Sequence, residues 1–108
     1  MNFLRFVESI RQGTSVEEIA ASHLSGVFTE DTGVYMTPKV SLTSELAFFD
    51  LERIPPTIII KVDGVAYEAF FSIAELADLI PEYTAFLGTA AQPLAIAKAI
   101  LDYHQYDA

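Results

Sequence analysis

The chain reads as a single α+β domain spanning residues 1–108, a small antiparallel sheet of three to five strands with a central β-hairpin, packed against helices. Three observations predict it. Asp63-Gly64 lies between two apolar runs, and a two-residue type I′ turn needs φ > 0 at both central positions, which Gly accepts freely and Asp tolerates. Directly after the second run, Ser72 and Glu75 have the S-x-x-E spacing of a capping box, which starts a helix. The third is size: 108 residues, 52% of them hydrophobic, with eight Phe and five Tyr, fill one core but not two.

The first elements are helical. Phe3, Leu4, Val7 and Ile10 recur at helical spacing between Asn2 and Gln12, and Gly13 is a stop. Ser15 and Glu18 repeat the capping-box spacing, with Val16, Ile19, Ala20, His23 and Leu24 on one stripe before Gly26. An angled or antiparallel helix pair is expected.

Between Val27 and Pro56 the signals are β-like. The run VFTEDTGVYMTPKV suits a hairpin looped around Glu30 to Gly33, with Pro38 limiting the second strand. Leu46 to Leu51 is too short for its period to separate strand from helical turn, and is read as a strand. Pro55-Pro56 favours an extended approach to the central hairpin.

In that hairpin Val62 pairs with Val65, Ile60 with Tyr67 and Ile58 with Ala69, so these six form one apolar face, expected to belong to the core. The opposite face, with Thr57, Ile59, Lys61, Ala66, Glu68 and Phe70, is only partly polar. The helix from Ile73 to Ile80 carries Ile73, Leu76, Ala77 and Ile80 on one stripe, expected to cover the six-residue face. Pro81 ends or kinks this helix, or opens a further turn stopped by Gly88. The last helix runs from about Pro93 to Gln105, with Ile96, Ile100 and Tyr103 along one side.

Composition excludes several function classes. Fifteen acidic against six basic residues give a net charge of −9, which disfavours nucleic acid because phosphate binding needs clustered Lys and Arg. Without cysteine there is no disulfide framework and no thiolate zinc site. The two histidines, His23 and His104, lack the spacing of a metal site, and no glycine-rich phosphate loop or calcium loop is present, so no catalytic residue, metal or cofactor is assigned. His104 near a helix C-terminus is accounted for by the dipole. Arg5 and Glu8 interrupt the N-terminal apolar run, and no apolar run approaches the ~20 residues that span a bilayer. A soluble, cytoplasmic protein that is not an enzyme is expected.

The charge is uneven. From Val62 onward seven acids face Lys98 alone, and Glu75 and Asp78 lie three apart on the outer side of the helix after the hairpin. Glu82 extends the row if helicity continues, and Glu68 adds to it from the hairpin. Like charges at this spacing cost only a few tenths of a kcal/mol, about what a solvated face tolerates, so the row is a candidate rather than a demonstrated surface. Glu68, Glu75, Asp78 and Glu82 are the candidate partner-binding residues, and the partner they suit is a basic protein.

The final fourteen residues, AIAKAILDYHQYDA, resemble the C-terminal helices of small bacterial domains related to immunity proteins of polymorphic or contact-dependent toxin systems, mainly through Leu101, Tyr103, Tyr106, Asp107 and Ala108. The resemblance implies a cytosolic protein that binds a cognate toxin domain and blocks it. A small regulatory or ligand-binding domain and a phage-encoded inhibitor of a host enzyme are the alternatives. Monomer and homodimer are equally open, because the partly apolar second face of the hairpin requires a cover from elsewhere in the chain or from another subunit.

Overall fold

The computed structural model describes residues 1–23, 31–88 and 90–106, without the side chain of His23. Among the described residues two helices precede a four-stranded antiparallel sheet and two follow it: α1 Phe3–Arg11, α2 Val16–His23, β1 Thr32–Thr37, β2 Glu45–Asp50, β3 Ile59–Val62, β4 Val65–Ser72, α3 Ile73–Leu87 and α4 Pro93–Tyr106. The strand order is β2-β1-β4-β3, so two hairpins are joined side by side through β1 and β4. This is the α+β architecture expected from the sequence. Leu24, the stop at Gly26, the strand start at Val27 and the turn at Glu30 lie outside the described residues, as do Thr89, Asp107 and Ala108.

Local signals set the element ends. The Asn2 side chain caps α1 by accepting the Arg5 N–H at 3.0 Å. Ser15 caps α2 by accepting the Glu18 N–H at 3.1 Å, and its hydroxyl donates to the Glu18 carboxylate at 3.2 Å. At α3 the box is reciprocal, Ser72 Oγ taking the Glu75 N–H at 3.1 Å and Glu75 Oε1 taking the Ser72 N–H at 3.0 Å. Asp63 and Gly64 have φ of 51° and 82°, and the β3–β4 register pairs Val62 with Val65 and Ile60 with Tyr67 as expected. The Ala69 N–H donates to the Ile58 carbonyl at 2.7 Å and carries the pairing one residue further.

Helix α3 runs through Pro81 to Leu87. Pro81 has no N–H for the Ala77 carbonyl, yet the next turn forms, with Thr84 Oγ1 donating to the Ile80 carbonyl at 2.7 Å and the Gly88 N–H to the Thr84 carbonyl. Gly88 ends it with φ 98°.

Two expectations are corrected. Thr32 and Gly33 are not in a hairpin loop; they begin β1, which pairs with β2 on one side and β4 on the other. Gly33 serves close packing rather than a turn, since a β-carbon there would meet Leu51 Cδ2 at 2.6 Å. Leu46–Asp50 is a strand, as read, and β1 stops at Thr37 before Pro38.

The second correction concerns the hairpin faces. The helices cover the side of the sheet that carries Val34, Met36, Leu46, Phe48 and Phe70, which joins Phe3, Phe6, Ile73, Leu76, Ile80, Ile96 and Ile100 in one core. Met36 lies opposite Glu68, so the partly polar face of the hairpin is the one turned to the helices. Of the six apolar residues expected in the core only Ile60 is buried; Val65 is exposed and Ile58 is 71% exposed. A bulge accounts for the difference. Gly33 pairs with Ser72 but Tyr35 with Ala69, so β4 spends one extra residue there, and Phe70 and Phe71 together oppose Val34. Both rings reach the helix side, which anchors β4 by two aromatics.

The opposite face carries its own aromatic group. Phe49 meets Tyr35 and Tyr67 edge-on at 5.5 and 5.2 Å between ring centres, and Leu51 folds over Gly33 beside the Tyr35 ring. Tyr35 is thereby only 4% exposed.

Candidate functional site

The bulge that brings Phe70 and Phe71 to the helix side lies beside a groove. Their ring centres are 4.8 Å apart, and His104, from the last turn of α4, lies against both at 5.0 and 5.1 Å. Phe3 from α1 meets Phe70 edge-on at 4.9 Å, and Tyr103 stacks on Phe71 at 5.9 Å. Helix α4 leaves the far end of the hairpin uncovered, and a groove of about 980 Å³ remains between β4, the 39–41 loop and the end of α4. Phe70 and Phe71 form part of its floor.

Two carboxylates stand in its wall. Glu68, on the helix side of β4, accepts the Val40 N–H at 2.6 Å and holds the loop after Pro38 against the sheet. The loop is tied again by Ser41, whose Oγ accepts the Ser44 N–H at 3.1 Å and lies 2.7 Å from Ser44 Oγ. Glu75, fixed by its capping box, also lines the groove. Lys39, which is exposed, and His104 are the basic residues of the lining.

The four predicted binding residues therefore fall in two places that share Glu75. Glu68 and Glu75 line the groove, whereas Asp78 and Glu82 lie along the outside of α3. Because α3 continues through Pro81, Glu75, Asp78, Glu82 and Phe86 occupy positions i, i+3, i+7 and i+11 on one face, a row spanning about 16 Å at 1.5 Å per residue. All four are exposed, Phe86 to 81%.

No family model, curated protein or solved structure matches the chain. Function is therefore read from these two surfaces. Among the described residues no three His, Asp or Glu side chains group closely enough to hold a metal ion, and His104 makes no hydrogen bond to a carboxylate or hydroxyl that would prepare a nucleophile. No described helix is long and apolar enough to cross a membrane. The described geometry places two hydrogen-bonded carboxylates at the groove and an exposed aromatic, Phe86, in line with the acidic row on α3.

Sequence reasoning missed Phe70, Phe71, His104 and Phe86 as site residues. A signal existed for the first two, since adjacent phenylalanines directly before the Ser72 cap break the strand alternation, which marks a bulge. Phe86 joins the acidic row only once the helix is known to pass Pro81.

Proposed function

We propose that the protein is a non-enzymatic, cytoplasmic binding protein that neutralises a basic protein partner, as an immunity protein neutralises its toxin, through the outer face of α3. The observation that carries the reading is Phe86, 81% exposed and in line with Glu75 and Glu82. An exposed Phe on a rigid helix offers an anchor whose burial is worth about 1.5–3 kcal/mol. The surrounding carboxylates steer a cationic surface toward it and repel acidic ones. A solvated face accounts for the acids alone but not for the aromatic ring among them.

The test is binding to a basic toxin-like protein encoded beside this one. Tight, salt-sensitive binding is expected, weakened by D78K/E82K and by F86A without loss of melting temperature. Unaltered affinity in both variants would remove this face from the interface, and the absence of any basic partner would sink the reading. The groove favours a second reading, a small ligand-binding or regulatory domain. Under that reading a metabolite screen should give a thermal shift, because ligand at a hundred times its Kd stabilises by about 2.7 kcal/mol.

A further inference from the structure

We infer that strand β3 is a self-association edge, through which two copies of the chain join antiparallel into one continuous sheet. The two ends of the sheet differ. At the β2 end, Asn2 forms an isolated antiparallel bridge with Glu45 and the Leu46 N–H donates to the Met1 carbonyl at 2.9 Å, so part of that edge is covered. At the other end no described strand or bridge lies beyond β3. Val62 and Val65 flank the two-residue turn as a hydrogen-bonded pair and bonding alternates from there, so Ile60 and Ile58 bond to β4 while Ile59 and Lys61 turn their N–H and C=O groups outward. Among the described residues the partner of these outward groups is the Thr57 hydroxyl, which donates to the Ile59 carbonyl at 2.9 Å and leaves that oxygen a second lone pair. Ile58 and Ile59, on opposite faces of the strand, are 71% and 60% exposed. An open edge with exposed β-branched residues is a template for another strand.

A second copy supplies the strand that fits. A two-fold axis at Ile59 sets Ile59 opposite Ile59 of the second copy, Ile58 opposite its Ile60 and Lys61 opposite its Thr57. Ile59 then exchanges both backbone bonds with its mate, and the Lys61 N–H donates to the Thr57 carbonyl of the second copy, while the Thr57 N–H stays on the Pro55 carbonyl at 2.8 Å. Charge selects this register. An axis at Lys61 opposes two ammonium groups and an axis at Ile60 sets them diagonally, whereas an axis at Ile59 moves them to the two ends of the ladder. Each Lys61 then shares a face with Glu68 of the second copy, the neighbour of Ile59 on β4, so the charges that meet across the new ladder are opposite in sign. Lys61 and Pro55-Pro56 are devices that blunt an edge. Here they restrict it to one register, the prolines ending the ladder just before Thr57. A ladder from Thr57 to Lys61 falls below the ~1,200 Å² of a standard interface, so the dimer dissociates on dilution. The pairing uses no residue of the α3 row and stands apart from the proposed function.

The experiment is sedimentation equilibrium of the full chain from about 10 µM to about 1 mM. The mass is expected to rise with concentration from 11.9 kDa toward twice that value. Added salt should strengthen the association, because each copy carries a net charge of −9. I59K sets two like charges opposite each other on the axis and should raise the dissociation constant by about tenfold or more. Since Ile59 is exposed, the melting temperature of a dilute sample should stay the same. I59C should cross-link to itself under mild oxidation, the two α-carbons lying about 5.5 Å apart across the axis. V65C, also exposed but on the strand that β3 shields from the second copy, should not. A single chain at every concentration, a dimer indifferent to I59K, V65C cross-linking as readily as I59C, or growth beyond two copies would overturn the inference. Dilution of the parent chain and the I59C cross-link decide the matter if I59K melts early.

Discussion

The Val40 amide donates to Glu68 Oε1 at 2.6 Å across 28 residues of sequence, and with the Ser41 N–H on Met36 Sδ at 3.4 Å it holds the segment after Pro38 against the sheet as a wall of the groove. Neither residue does so alone. Glu68 is half-buried, so removing its acceptor leaves the Val40 N–H to find water at the groove's edge. Glu68→Ala is expected to lower unfolding stability by about 1–2 kcal/mol and Glu68→Gln by no more than about 0.5 kcal/mol. Urea denaturation of the two variants checks the difference; equal losses would mean that the charge, not the bond, matters.

Gly33 and Leu51 compete for one volume. A β-carbon at Gly33 would lie 2.6 Å from Leu51 Cδ2 and 3.1 Å from Tyr35 Cε1, but Leu51 is partly exposed and has room to turn away. Gly33→Ala should therefore cost about 1–2 kcal/mol, toward the low end of overpacking penalties. In the Leu51→Ala background the same change should cost less, and a double-mutant cycle measures the coupling.

Pro81 removes a helical hydrogen bond from the middle of α3, and its side chain is exposed. Replacing it by Ala restores a donor to the Ala77 carbonyl, and the expected gain in stability is about 1–3 kcal/mol. A rise in melting temperature is the readout. Loss of stability would show that the proline is needed for the way α3 seats on the sheet.

Burial raises the Tyr35 phenol above the ordinary tyrosine value. The folded protein then holds this proton more tightly than the unfolded chain, so the contribution to stability is complete below about pH 10 and is lost as the pH rises through the folded value. Thermal melts between about pH 9 and 11 should fall more steeply for the parent than for Tyr35→Phe. Parallel curves would remove Tyr35 as the source.

Most of what local chemistry specifies was legible. The Asp63-Gly64 turn, the Ser72–Glu75 box, the stripe of Ile73, Leu76 and Ile80 and the start of α4 at Pro93 each depend on residues a few positions apart, and each appears where the spacing places it. Gly33 shows the limit of such reading. A glycine after Glu30, Asp31 and Thr32 resembles a loop, and only the distant Leu51 explains why it sits in a strand.

By itself the sequence determined the α+β class, the hairpin register and the acidic residues Glu75, Asp78 and Glu82 along one helix side. Tertiary structure alone decided which face of the hairpin the helices cover and where the groove opens. The physical reason lies in the strand period of two. A register is set within the hairpin by its turn, but which side is buried depends on how β4 joins β1, and a single extra residue at Phe70-Phe71 sends both rings to the helices. The face with more apolar residues was turned away from the helices, and the face with Glu68 borders the groove.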